Sequence, residues 1–490
     1  MRAAPDRSTR ARRALAALDA LVPFTLVLFA LVFVDRGPLR DGDDAPRGLV
    51  VAEGGGSASA PWAEIATRRM VAHARERMGL GDDAACRVAI LGGESRRMRE
   101  HFEAAGADEV LELGFAATDK EREQLATTHV VWMVGGDQSR YVESWNGTPV
   151  EAHMERLWLD GGAIGGSSAG CAVLGRWVYD AAVGSLDERE ALSNGAHAEL
   201  TLRDDFLALV PGVLFDTHFT ERGRLARLAT MFTHLWARDE TLLAIGMDDR
   251  TALLVDGASG RAEVIGDGSA TVLFADERTR AKKPRDGRPP ELSSACCEIL
   301  LAGHVFDLRE RRVVARPDGM RIEFEPAPAF EIASDLEPVP GNDDGSAELG
   351  DLVVVAADAD ALIEGRLTTR PGTGRIAGAI VVPRAFSDPR LDEVRVGGGL
   401  FALAGAPGRL VLWLDDSIAL ERTGRSRLAV RAAGDEPLRS LMVLDGRAIT
   451  AVGFSTAAAR NDASGELGRQ SVALEGGRLW LVPPGAAFTP

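Results

Sequence analysis

Gly166-Ser167-Ser168-Ala169-Gly170 sits between the small, apolar run Gly162-Ala163-Ile164-Gly165 and Cys171-Ala172-Val173-Leu174-Gly175. The pattern reads as a short buried strand turning sharply into a helix, with Ser168 at the apex. A serine there is held in a strained backbone conformation, and small neighbours on both sides let the turn close. Its hydroxyl then stands clear of the sheet, at a helix N-terminus whose free N–H groups can hold an oxyanion. The chemistry this suits is nucleophilic attack on a carbonyl. Cys171, three residues past the apex, reads as packing.

An attacking serine needs a base, and imidazole is the usual one because its pKa lies near neutrality. Among eight histidines, His218 stands out in Val213-Leu214-Phe215-Asp216-Thr217-His218-Phe219, a strand ending in a polar cluster. His73, His101, His129, His153, His197, His234 and His304 fall on expected helix faces or in less organised segments. The imidazole needs a carboxylate that holds its tautomer. The run from Leu243 to Leu253 offers Asp248 and Asp249 directly after another apolar strand. The chain order is therefore Ser, His, acid. An α/β-hydrolase places its acid between serine and histidine. It would have to recruit Asp180, Asp187, Asp204 or Asp205, none of which follows a clear strand.

These side chains need elements to hold them. Apolar runs at Gly48–Ala52, Arg87–Gly93, Val110–Leu113, Val130–Val134 and Ala163-Ile164 read as strands. Helices are expected at about 62–78, 95–105, 119–126 and 150–159. Strands alternating with helices at this spacing mean βαβ units and a mainly parallel sheet covered on both faces, an α/β fold. Ligands bind outside the carboxyl ends of such strands. That rule gathers Gly54–Gly56, Gly92-Gly93, Gly135-Gly136 and the Ser168 turn along one edge. After about Gly319 the texture changes to short apolar runs between Gly, Pro and Asp turns, among them Leu352–Val355, Ile376–Val382, Leu410–Leu414 and Leu441–Leu444. This reads as a β-rich module, residues 319–490, without His, Cys, Tyr or Lys to do chemistry.

The chain's 490 residues allow two or three domains, and 46% hydrophobic content supports a sizeable core. A formal net charge of −17 argues against a nucleic-acid partner. No C-x-x-C pair occurs, so a disulfide framework, a structural zinc site or another metal is not expected. Arg2, Arg7, Arg10, Arg12 and Arg13 precede an uncharged stretch from Ala20 to Val34. This reads as an export signal or a membrane anchor, and Asp35–Arg47 as a linker, with residues 48–318 the catalytic part. The expected location is outside the cytoplasm: secreted, periplasmic or membrane-anchored.

Three segments together resemble the cyanophycinase group of the serine peptidase family that also contains aspartyl dipeptidase. They are Gly135-Gly136-Asp137-Gln138, the Gly166–Cys171 turn, and Asp216-Thr217-His218-Phe219-Thr220-Glu221-Arg222-Gly223-Arg224-Leu225-Ala226-Arg227-Leu228. The Gly246–Leu253 run is a fourth, weaker match. The resemblance implies a three-layer fold like class I glutamine amidotransferases and serine exopeptidase cleavage of amide bonds next to aspartate. Cyanophycinases release β-Asp-Arg dipeptides from a poly-aspartate backbone bearing arginine. Carried over, Ser168 is the nucleophile, His218 the base and Asp249 the acid, with Asp248 as the fallback. The oxyanion donors are the N–H groups of Gly136 and Ala169. Gln138, Asp216, Arg222, Arg224 and Arg227 line the substrate pocket, and no cofactor is implied. Guanidinium groups there could grip a substrate carboxylate, and Asp216 the arginine end of a substrate.

Two positions depart from the family pattern. Thr217 stands where Gln is favoured, and Asp249 where Glu is, so its backbone must approach His218 more closely. Both departures also suit a non-catalytic binding or envelope protein on the same fold, and an esterase is a third reading. For the C-terminal module, homodimer contacts, polymer binding and envelope attachment all stay open.

Overall fold

Five short apolar runs form the parallel half of a nine-stranded sheet: β1 (Leu49–Glu53), β2 (Arg87–Leu91), β3 (Glu109–Leu113), β4 (Val130–Met133) and β5 (Ala163–Ser167). Their spatial order is β1-β5-β4-β2-β3. Residues of β1 alternate between two cores. Leu49 and Val51 pack with Trp62, Met70 and Phe102 from the helices Pro61–Arg77 and Arg96–Ala104. Val50 and Ala52 pack with Tyr141, Trp145 and Met154 from Gln138–Trp145 and Pro149–Asp160. That two-residue alternation is why the strand is apolar from Leu49 to Ala52: both faces are covered. Antiparallel strands Thr251–Asp256, Arg261–Gly266, Val305–Asp307 and Arg312–Ala315 extend the sheet beyond β1.

A computed structural model describes residues 46–490 except 57, 59–60, 82, 117, 337–338, 341–348, 357–366, 387–388, 434–436 and 456–470. The leader expected at 1–47 falls almost wholly outside the described residues. Among the described residues, no helix is long and apolar enough to cross a membrane.

A second sheet starts from the parallel strands Gly175–Tyr179, Val210–Asp216 and Leu243–Met247 and passes to antiparallel Ser269–Phe274 and Leu292–Leu301. It continues directly into the C-terminal part, where Leu292–Leu301 pairs with Val472–Val482. The C-terminal region is β-rich, as its short apolar runs imply, but it is built into this sheet rather than appended to it. Leu228 and Phe232 share one core with Leu403 and Trp413.

That region also holds a helix, Pro389–Gly405, which the sequence pattern conceals. Gly397-Gly398-Gly399 in its middle carries a poor helix propensity. Packing overrides it: a Cβ on Gly399 would lie 2.7 Å from the Trp413 ring, so only glycine permits the approach. This helix forms a parallel crossover between Ile376–Val382 and Leu410–Trp413, and packs on the turn Thr220–Arg222.

Candidate active site

Ser168 stands between β5 and a single helical turn, Ala169–Ala172, with φ 52° and ψ −113°. The flanking glycines are required by contact. A Cβ on Gly166 would lie 2.4 Å from the Gly170 carbonyl carbon, and one on Gly170 would lie 2.3 Å from Met133 O. The helix after the elbow is shorter than the sequence suggests, because the chain turns at Val173 into the strand Gly175–Tyr179. Its dipole is correspondingly small, so an oxyanion there would rely on individual N–H groups rather than on a helix field.

The two partners expected of Ser168 are in place. Ser168 Oγ lies 2.8 Å from His218 Nε2, and His218 Nδ1 lies 2.6 Å from Asp249 Oδ1. A carboxylate at Asp249 can only accept, so Nδ1 carries the proton and Nε2 is left to accept from the serine hydroxyl. His218 ends the strand Val210–Asp216 with φ 47°. Asp249 follows Leu243–Met247 in a tight turn. The shorter acid comes close enough because its neighbour is glycine: a Cβ on Gly56 would be 3.1 Å from Asp249 Cβ. Asp248 is otherwise engaged. Its Oδ1 accepts the Thr220 N–H, and its Oδ2 accepts the Ser269 N–H and hydroxyl. The relay runs through Asp249.

Gly135 backs the nucleophile, since a Cβ there would meet Ser168 Cβ at 3.4 Å, and Gly136 beside it has φ 142°. Asp137 accepts the Ser139 N–H at 2.9 Å and so caps the helix Gln138–Trp145. Gln138 directs its amide toward Tyr179 O at 3.5 Å.

The expected substrate pocket changes most. Asp216 and Arg227 are each only 3% exposed and bound to one another, Arg227 Nε reaching Asp216 Oδ2 at 3.0 Å and Nη2 reaching Oδ1. Arg227 Nη1 also donates to Leu186 O at 3.2 Å, and its backbone N–H donates to Glu188 Oε2 at 3.0 Å. Burial alone would raise the Asp216 carboxyl, but Arg227 and Arg224 overcome it and hold it below its usual range. Arg224 lies 3.6 Å from the same carboxylate and donates to Thr217 O at 2.5 Å. These three residues brace the loop carrying His218, and Asp216 and Arg227 are committed to one another rather than to a substrate. Arg222 differs: it is exposed and forms no ion pair with a described residue.

The open space lies on the other side of the nucleophile. A cleft of about 330 Å³ beside Ser168 and His218 is bounded by Gly56, Trp62, Ser95, Met98, Trp132 and Val134. No carboxylate or guanidinium is among its described lining residues. Trp62 and Trp132 stack with centroids 6.2 Å apart and stiffen its floor. Cys171 is fully buried, and burial pushes its thiol well above the usual range, which fits a packing role. Among the described residues no group of three or more His, Cys, Asp or Glu is arranged to hold a metal ion.

One residue with a claim on the site carried a signal that motif reading passes over. Glu53 stands between four apolar strand residues and Gly54-Gly55-Gly56, an acid where burial on both faces is expected. It is fully buried, and burial first, with the Asp249 charge adding to it, pushes its carboxyl up to about 8 against the pull of the Ser167 side chain and the Gly55 amide.

A strand-end serine hydrogen-bonded to an imidazole, on an α/β sheet, is an arrangement suited to hydrolysis. Residues 91–262 match the model of Peptidase family S51, and the chain belongs to that family. Cyanophycinase of Trichormus variabilis is 30% identical over 239 residues, covering 46% of this chain and 73% of the relative. Cyanophycinase of Synechococcus elongatus is 30% identical over 213 residues, covering 42% and 62%. Among solved structures, a peptidase from an acI-B1 Actinobacterium aligns with 54% of this chain and 98% of its own, at 17% identity and a TM-score of 0.36.

Proposed function

We propose that this chain is a serine-type peptidase that hydrolyses β-aspartyl amide bonds, as in cyanophycin-like Asp-Arg linkages, through an acyl-enzyme. The observation that carries the reading is the unbroken hydrogen-bonded series Ser168–His218–Asp249, with the serine in a conformation that L-residues rarely adopt. Ser168 Oγ attacks the scissile carbonyl carbon while its proton passes to His218 Nε2. The tetrahedral oxyanion is met by the N–H groups of Ala169 and Gly136. Its collapse breaks the C–N bond, and His218 returns the proton to the departing amine. Water, deprotonated by the same imidazole, then cleaves the ester and frees Ser168.

The cyanophycinase relatives support aspartate-linked amides as substrates, and of the three arginines expected to meet a substrate carboxylate, Arg222 is the exposed one. The uncharged cleft favours a neutral side chain across the scissile bond. An arginine placed there would lose water without gaining a partner. The test is hydrolysis of cyanophycin, β-Asp-Arg and β-Asp-Leu, with a fluorophosphonate probe in parallel. The expected result is labelling at Ser168 and a kcat/KM for β-Asp-Leu about tenfold above that for β-Asp-Arg, the worth of one modest apolar contact. Folded protein that is neither labelled nor active on any of the three would support the non-catalytic binding reading instead.

A further inference from the structure

The backbone of Glu53-Gly54-Gly55 connects every part of the relay. Glu53 O accepts the Ser168 N–H at 3.0 Å, Gly54 O accepts the His218 N–H at 2.9 Å, and Gly55 O accepts the Arg250 N–H, next to Asp249, at 2.7 Å. Three consecutive carbonyls thus hold the three segments that bear the serine, the imidazole and the acid. The loop is tight as well: a Cβ on Gly55 would lie 2.2 Å from His218 Cε1. Two further bonds hold the segment itself: the Gly54 N–H donates to Thr251 O at 3.0 Å, and Glu53 Oε1 accepts the Gly55 N–H at 2.9 Å. The other Glu53 oxygen, Oε2, is buried without a hydrogen-bond partner.

We propose that Glu53 is a positioning residue of this site, its side chain bracing the Gly54–Gly56 loop so that serine, imidazole and acid keep their hydrogen-bonding distances. The proposal rests on the serine-peptidase reading and adds to it a residue outside the relay. The titratable groups facing Glu53 from neighbouring elements are Asp249, in the turn after Leu243–Met247, and Cys171, in the turn after Ser168. The Cys171 thiol stays uncharged over the working range, so Asp249 supplies the opposing charge. In the protonated form Glu53 can accept from Gly55 without setting a second negative charge beside Asp249. Once ionised, it sets a second negative charge beside Asp249 behind the serine and imidazole, and the site is expected to lose activity.

The experiment compares Glu53→Ala and Glu53→Gln with the wild-type protein. Glu53→Ala is expected to lower kcat at pH 7 by at least tenfold with KM within about threefold, since the loop loses its brace but the cleft is untouched. Glu53→Gln retains the acceptor and should rescue most of that loss. It should also remove the decline in kcat expected of the wild type above about pH 8. Glu221, whose carboxyl burial and then Asp248 and Asp249 also push up to about 8, provides the control. Glu221→Gln should leave the decline in place.

Thermal unfolding gives a readout independent of turnover. The folded-state value of Glu53 lies above its ordinary 4.5, so its contribution to stability is complete below that and is lost as pH rises through about 8. The Tm of the wild type should therefore fall relative to Glu53→Gln by a few degrees between pH 5 and 9. Parallel Tm curves for the two proteins would overturn the proposal, as would an alkaline decline that follows Glu221 instead. A protein that cleaves no β-aspartyl amide would overturn the substrate reading while leaving the Tm comparison to decide on Glu53.

Discussion

Ser168→Ala is expected to lower kcat on a β-aspartyl dipeptide by about 10⁴–10⁶-fold, with Tm and circular dichroism unchanged. The size follows from the arrangement. Without Oγ there is no group to form the acyl-enzyme, and the imidazole 2.8 Å away has no proton to take. Folding should survive because the hydroxyl makes no other hydrogen bond than the one to His218 among those described. Ser168→Gly sharpens the argument. Backbone held at φ 52° and ψ −113° costs an L-residue about 1–3 kcal/mol, and glycine escapes most of that. The glycine variant should be equally inactive yet melt at or above the wild-type temperature. The neighbouring acids separate in the same assays. Asp249→Asn should lower kcat by about 10⁴-fold with little change in Tm, because the amide cannot hold the imidazole in the productive tautomer. Asp248→Asn should act mainly on Tm, since it disturbs three hydrogen bonds, two of them buried, that tie the turn to Thr220 and Ser269. Undiminished turnover by Ser168→Ala would end the acyl-enzyme account.

Much of this site could be read before any coordinates, for a physical reason. Strand-end turns require small residues at fixed places, so the strain at Ser168 leaves a trace in Gly166 and Gly170. The same holds for β1, β2 and β4, whose two-sided burial gives each a run of four apolar residues. The helix Pro389–Gly405 was hidden because its glycines are chosen by contact with Trp413, a residue distant in sequence. The fate of Arg224 and Arg227 was hidden for a related reason. A basic residue one turn beyond a histidine looks the same in sequence whether it faces a substrate or a buried carboxylate. Only the strand Val210–Asp216 and the helix Leu225–Trp236, once docked, show that Asp216 has claimed both. Glu53 went unnoticed because motif reading looks for polar groups that reach solvent, and this one is buried beneath the site.

Arg227→Ala is expected to destabilise the fold by about 3–5 kcal/mol, the cost of leaving one member of a buried ion pair without its partner. Asp216 is 3% exposed and would keep only Arg224, at 3.6 Å, as a cation. The backbone acceptors at Leu186 and the Ser185 hydroxyl would lose their donor too. Adding Asp216→Asn should recover part of the loss, because the charge that lacked compensation is then gone. The pH dependence has a definite sign. The Asp216 carboxyl is held below its usual range, so the pair stabilises the fold above the ordinary aspartate value and ceases to as pH falls through the depressed one. The Tm gap between wild type and Arg227→Ala should therefore be widest near neutrality and narrow in acid. Arg222→Ala provides the contrast: Tm should hold while KM for a β-aspartyl dipeptide rises about tenfold, the loss of one charge-assisted contact to substrate. If Arg227→Ala instead keeps its Tm and raises KM alone, the guanidinium faces the substrate after all. The loop bearing His218 would then owe its position to something other than this ion pair.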